Sequence, residues 1–227
     1  MDDDRLELDL RYAAGRNQLA PRFRPVVDAR ADSVAGFVVE AAWAHPALGT
    51  LGPDRFVPLA ERIGLAADLD RWILDRACAE VAAWGAEALD ALALLVVPCT
   101  AATAALPSLP DDARAAADLS GLPPDRLALL VPADAATSRL FSSVRRAGLR
   151  LATTTEVPHG DALPGPLTVV APPSSDDDDA RVIAHVPSVL DAALPPAVGW
   201  ALDPDTDALG ADAARELLTS GPAVRPG

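Results

Sequence analysis

The strongest constraint on this chain is a repeated switch between helical and extended hydrophobic patterns. Over Ala67–Trp84 the residues Leu69, Ile73, Ala77, Val81 and Trp84 recur at steps of four and three, one apolar stripe of an α-helix, with Arg71, Asp75, Arg76 and Glu80 mainly off it. Ala91 to Val97 then runs without a polar residue and reads as a strand buried on both faces. Leu127–Val131 is a second such strand. Ala135–Ala147 follows as a helix that turns Leu140, Phe141 and Val144 inward and ends at Gly148, and Leu149–Thr153 is the next strand. A strand–helix–strand rhythm of this kind predicts a parallel sheet with helical crossovers.

Upstream, Leu6–Leu19 can form an opening helix, and Phe23–Asp28 and Val34–Trp43 are apolar runs joined through Ala31-Asp32-Ser33, which predicts a hairpin. Pro53–Ile63 reads as a helix, with proline at its first position and Gly64 just past its end. After about residue 155 the rhythm weakens. Val157–Pro166 holds three prolines, Leu167–Ala171 reads as a strand, Asp176–Asp179 as a solvated acidic loop, Arg181–Leu194 as a helix interrupted by Pro187, and Val198–Leu202 as a last strand. The 22 prolines, many in this half, imply loops where a regular barrel would carry helices.

Composition narrows the function. Half of the 227 residues are apolar and only 4% aromatic, so a large core must be built from Ala, Leu and Val. A net charge of −14 repels phosphate backbones and anionic lipid, which argues against nucleic acid or a membrane surface as partner. There is no lysine, and the only side-chain amides are Asn17 and Gln18. Cys78 and Cys99 do not make a disulfide framework. Met1-Asp2-Asp3-Asp4 is the opposite of a basic signal-peptide start, and Ala91–Leu106, the longest uncharged apolar stretch, is broken by Pro98 and too short to span a bilayer. The expected location is the cytoplasm.

An ordered series of landmarks covers roughly residues 5–155. It comprises Phe23-Arg24-Pro25-Val26-Val27-Asp28, Gly36 with Trp43 and His45-Pro46, Phe56, Pro58-Leu59-Ala60-Glu61 and Gly64-Leu65. It continues with Leu69-Asp70-Arg71-Trp72-Ile73-Leu74, Ala77-Cys78, Gly121-Leu122-Pro123-Pro124-Asp125-Arg126-Leu127 and Gly148-Leu149-Arg150-Leu151-Ala152. In this order they resemble an EAL domain, the bacterial cyclic-di-GMP phosphodiesterase fold. The resemblance implies an α/β fold of the TIM-barrel type, one domain over residues 1–227, well matched to 155 and divergent and loop-rich over 156–227, with helices shortened or missing in the last third and the barrel incomplete. Ala201–Thr206 and Leu209-Gly210-Ala211-Asp212 look like two late landmarks of the family.

The chemistry of that family needs hard divalent cations held by several oxygens at the strand ends. Position by position, the resemblance implies that these oxygens are lost: the metal-ligating glutamate falls on Val38, the phosphate-contacting arginine on Ala42, the asparagine on Pro98 and the next glutamate on Leu130 with partners Pro132 and Ala133. The paired aspartates fall on Thr154 and Thr155, the late glutamate on Leu202 and the glutamine-glycine on Arg215-Glu216, and the family's lysine has no occupant. The resemblance read this way implies no catalytic residues, no metal and no cofactor, hence a chain that is not an enzyme.

The residues that could still carry ligand chemistry are Arg24, Glu40, Glu156, Asp203 and Asp205. Arg24 stands where the family usually has glutamine and is the best surviving cation. Glu40 lies two residues after Val38, so strand alternation puts both on one face; it is either a relocated ligand or, by preference, a rim carboxylate paired with an arginine. Glu156, Asp203 and Asp205 follow predicted strand ends and read either as a cluster at the mouth or as solvated loop acids. His45, His159 and His185 have no ligand spacing, Cys78 and Cys99 no activating partner, and Trp43, Trp72, Trp84 and Trp200 read as core. Three functions follow in order of preference: a regulatory or interaction module with a protein partner or second copy, a cyclic-di-GMP receptor that does not cleave its ligand, and a residual metal-dependent phosphodiesterase. The missing cations weigh against cyclic-di-GMP as the ligand.

Overall fold

The computed structural model describes residues 3–28, 33–155, 167–171, 181–185, 200–202 and 207–220. Helix α1 (Asp3–Ala13) leads through Asn17, at a left-handed φ of 53°, into β1 (Leu19–Asp28), which pairs antiparallel with β2 (Ser33–His45) from Leu19 opposite Trp43 to Asp28 opposite Ser33. The predicted helix over residues 6–19 is therefore shorter, ending at Ala13 in the turn that carries Asn17, and only Leu19 passes to β1. A short β3 (Gly49–Leu51) folds back on the end of β2. Helices α2 (Pro53–Arg62), α3 (Ala66–Ala83) and α4 (Ala86–Ala91) then cross to β4 (Leu94–Pro98). Helices α5 (Ala101–Ala104) and α6 (Leu109–Ser120) cross to β5 (Leu127–Val131), and α7 (Ser138–Arg146) to β6 (Arg150–Thr155). The remaining elements are β7 (Leu167–Ala171), β8 (Arg181–His185), β9 (Trp200–Leu202) and α8 (Ala211–Thr219).

The strands follow one another in the order β1-β9-β8-β7-β6-β5-β4-β2, and β2 pairs back onto β1, so the ring closes. The expectation of an incomplete barrel is corrected by this closure, which removes the exposed edges that expectation implied. The predicted hairpin is β1–β2, and the parallel sheet expected beyond it is corrected to a mixed one. The pairs β2–β4, β4–β5, β5–β6 and β8–β9 are parallel, whereas β6–β7, β7–β8, β9–β1 and β1–β2 are antiparallel. Antiparallel neighbours need no helical crossover. The predicted helix over residues 181–194 is also corrected: its first five residues are β8, in register with β7 from Arg181 opposite Val170 to Ala184 opposite Leu167. Val182-Ile183 is β-branched and favours a pleated surface; residues 186–194 lie outside the described ones, as do 157–166 and 176–179.

Alternation along the strands divides the core. Val26, Val38, Leu94, Val96, Ala128 and Ala152 pack with Leu130 as one cluster inside the ring. Their neighbours Phe37, Val39, Leu95, Val97, Leu127 and Leu129 join the second, larger cluster under the helices, which α3 enters through Leu69, Ile73, Ala77 and Val81, the predicted stripe. Phe23, Phe37 and Trp84 meet edge to face there, with ring centres 5.1–5.9 Å apart. Gly36 marks the closest approach of β2 to β4. A Cβ at that position would lie 2.0 Å from the Leu94 carbonyl oxygen, so the junction admits only glycine without a shift of backbone.

Candidate functional site at the barrel mouth

The carboxyl ends of β2, β4 and β5, the end at which such barrels carry their sites, open into a cavity of about 630 Å³. Val38, Pro98 and Leu130 line it from the strands, Val57 and Pro58 from α2, and Leu69 and Ile73 from α3. Its polar lining is Arg24, Glu40, Asp54, Glu61, Asp70 and Thr100.

Arg24 on β1 stands opposite Val38, and Glu40 on β2 opposite Arg22. Across this step Arg24 Nε donates to Glu40 Oε1 at 2.8 Å, with side-chain exposures of 15% and 27%. The structure thus brings together two of the predicted site residues and gives Glu40 the arginine-paired reading. Partial burial strengthens the pair relative to one on the surface, because the charges interact across a less polar medium. Glu156, Asp203 and Asp205 lie outside the described residues.

Asp70 is the residue that sequence reasoning quoted as a landmark without giving it a role. Its side chain is buried at the α3 side of the cavity, and one carboxylate oxygen, Oδ2, accepts from the Thr100 amide at 2.6 Å, the Thr100 hydroxyl at 2.7 Å and the Thr103 hydroxyl at 2.6 Å. Burial pushes the Asp70 carboxyl above its ordinary value of 3.8, against the hydrogen bonds from Thr103 and Thr100, which lower it. Thr100 in turn caps α5, accepting from the Thr103 amide. The arrangement clamps the loop after β4, Pro98-Cys99-Thr100, at the rim of the cavity. The threonines three residues apart behind a strand were the available signal, since that spacing is a helix start.

The family chemistry implies a dication held at the strand ends. Val38, Pro98 and Leu130 offer it no oxygen, and no three His, Cys, Asp or Glu side chains gather in a metal-holding group among the described residues. The described residues do not fit a resident dication.

The remaining candidates are structural. His45 is buried, its Nδ1 accepting from the Ala47 and Leu48 amides at 3.2 Å while its Nε2 faces Asp9 Oδ2 at 3.5 Å. His159 lies outside the described residues. Cys78 and Cys99 are buried; burial pushes the Cys78 thiol up to about 12 and raises Cys99 as well, which leaves neither as a nucleophile. Trp43 and Trp84 belong to the core and Trp72 packs against it. No helix among the described residues is long and apolar enough to cross a membrane.

Comparison with known proteins places this geometry. Cyclic di-GMP phosphodiesterase NbdA of Pseudomonas aeruginosa is 35% identical over 130 residues, which is 57% of this chain and 16% of that protein. The chain spans about a sixth of the length of the first curated relatives it matches and of NbdA. Among solved structures, the PaMucR phosphodiesterase in complex with c-di-GMP is 29% identical with a TM-score of 0.58, over 65% of this chain and 62% of that one. The FimX EAL domain from Pseudomonas aeruginosa, 23% identical with a TM-score of 0.54 over 65% and 60%, shares the fold.

These relatives overturn one expectation. Reading single positions implied that the chain is not an enzyme. NbdA and PaMucR, to which it is similar, are cyclic-di-GMP phosphodiesterases by name, so the non-enzymatic reading is not supported. Glu40, Asp54, Glu61 and Asp70 bring carboxylates into the same cavity as Val38, Pro98 and Leu130. With the barrel, its mouth and these relatives in hand, the match of the EAL domain family model to residues 7–154, well over half of the chain, establishes that the chain belongs to the EAL-domain family.

Proposed function

We propose that this domain is a regulatory module of cyclic-di-GMP signalling and that its mouth cavity takes the cyclic dinucleotide. The observation that carries this reading is a cavity with apolar walls and an arginine in its lining, at the carboxyl ends of the strands of an EAL-family barrel. Purine rings present flat, weakly polar faces suited to Val57, Pro58, Leu69 and Ile73. The Arg24 guanidinium supplies a planar fork of donors matched to phosphate oxygens. The complex of the similar PaMucR phosphodiesterase with c-di-GMP supports the choice of ligand.

The test is a calorimetric titration of the chain with cyclic-di-GMP, with the same samples then held with magnesium or manganese and analysed for linear or mononucleotide product. Saturable binding below about 100 μM that weakens at least about tenfold in Arg24→Ala is the expected result. Absence of binding in the wild-type chain overturns the proposal. Product in the incubated samples would extend the module's function to hydrolysis at the same cavity.

A further inference from the structure

Among the described residues, the cavity that is offered to a phosphodiester contains more carboxylates than cations, and the contact between Arg24 and Glu40 indicates how the two requirements meet. Arg24 shares the lining with Glu40, Asp54, Glu61 and Asp70. A cyclic dinucleotide brings two negative charges into this set, and like charges in a partly desolvated pocket repel. Asp54 and Glu61 sit on α2, whereas Glu40 touches the guanidinium directly, its Oε1 accepting from Nε at 2.8 Å. A phosphodiester oxygen and the Glu40 carboxylate are chemically the same kind of acceptor for that fork. They compete for one side chain.

Resting on the reading that the cavity takes a cyclic dinucleotide, we propose that Glu40 is a latch on Arg24: an internal carboxylate that occupies the phosphate-binding guanidinium and must release it before the ligand is held. The latch costs affinity and supplies selectivity. A weak or singly placed anion does not displace a carboxylate already in contact, while a ligand that also buries two purine rings against the walls recovers the difference. The geometry suits this use, since the side chains are 15% and 27% exposed, buried enough for the contact to matter and open enough for Glu40 to swing to solvent.

The experiment is a double-mutant cycle in which cyclic-di-GMP affinity is measured for the wild type, Glu40→Gln, Arg24→Ala and the double variant. Glu40→Gln keeps the shape of the side chain and an oxygen that can accept from Arg24, so the barrel is retained, and circular dichroism checks that all four proteins fold. The expected result is binding about fivefold tighter in Glu40→Gln, the equivalent of releasing one partly buried ion pair, with that gain absent in the Arg24→Ala background. A gain that persists without Arg24 overturns the latch and reduces Glu40 to a source of general repulsion. Unchanged or weaker binding in Glu40→Gln also overturns it. If no protein of the cycle binds, the failure lies in the underlying reading of the cavity rather than in the latch.

Discussion

Removing the Asp70 carboxylate tests the physical account of the cavity rim. In the wild type one oxygen accepts three hydrogen bonds, from the Thr100 amide and from the hydroxyls of Thr100 and Thr103. Each bond to a charged acceptor contributes roughly 2 kcal/mol, and the desolvation of a buried carboxylate offsets a large part of the sum. In Asp70→Ala the two hydroxyls, 3.2 Å apart, can still bond to each other, but the Thr100 amide loses its acceptor inside the protein, a loss of about 1–3 kcal/mol by itself. Adding the small void gives a total cost of about 3 kcal/mol. Asp70→Asn keeps an oxygen for the amide and gives up the charge together with its desolvation, so its cost is about 1 kcal/mol.

The two variants also differ in pH dependence. The Asp70 carboxyl is raised in the folded chain, with burial as the largest cause. Its unfolded form therefore ionises first as pH rises. The stability this residue contributes is fully present below the ordinary value of 3.8 and is lost as pH climbs through the raised folded value. The wild type should exceed Asp70→Asn by most at low pH and by less at neutral pH. Urea unfolding followed by tryptophan fluorescence at several pH values measures both effects. An Asp70→Ala variant within about 1 kcal/mol of the wild type, or a gap to Asp70→Asn that widens with pH, would refute the reasoning.

Gly36→Ala should destabilise the barrel by about 3 kcal/mol, because its Cβ would lie 2.0 Å from the Leu94 carbonyl oxygen and 2.8 Å from its carbon, and only a shift of β2 against β4 relieves that; a melting temperature unchanged from wild type would contradict the close approach. Both thiols should resist an aromatic disulfide reagent in the native chain and react once urea unfolds it, since burial raises Cys78 to about 12 and Cys99 as well; rapid native labelling of either would show a reactive cysteine the structure does not contain.

Much of the fold was legible because it rests on periodicity. The stripe Leu69-Ile73-Ala77-Val81 defines α3, and the unbroken apolar runs at Leu94–Val97 and Leu127–Val131 can be satisfied only by strands covered on both sides. Strand direction was not legible past β6, because antiparallel and parallel neighbours differ in where the connection leads and not in the residues of the strand itself. Arg181–His185 shows the same limit: five residues of mixed polarity fit a helix or a strand, and only pairing with β7 decides. At the site, alternation puts Val38 and Glu40 on one face, and both line the cavity together with Val39 and Ala41. The clamp of Asp70 on Thr100 and Thr103 spans some thirty residues and depends on the packing of α3 against α5, which no local pattern encodes. The reading that the chain is not an enzyme failed for a related reason. It compared single positions with a family pattern, whereas relatives that match the chain as a whole include cyclic-di-GMP phosphodiesterases by name.

The measurement that tests the central claim most directly is hydrogen exchange of the chain with and without cyclic-di-GMP. If the mouth cavity holds the dinucleotide, amides of Cys99–Ala101 after β4, of the end of β5 near Leu130 and of the first turns of α2 slow together on addition of the ligand, since these segments line the cavity. Protection confined to other parts of the barrel, or no protection at saturating nucleotide, would contradict the account.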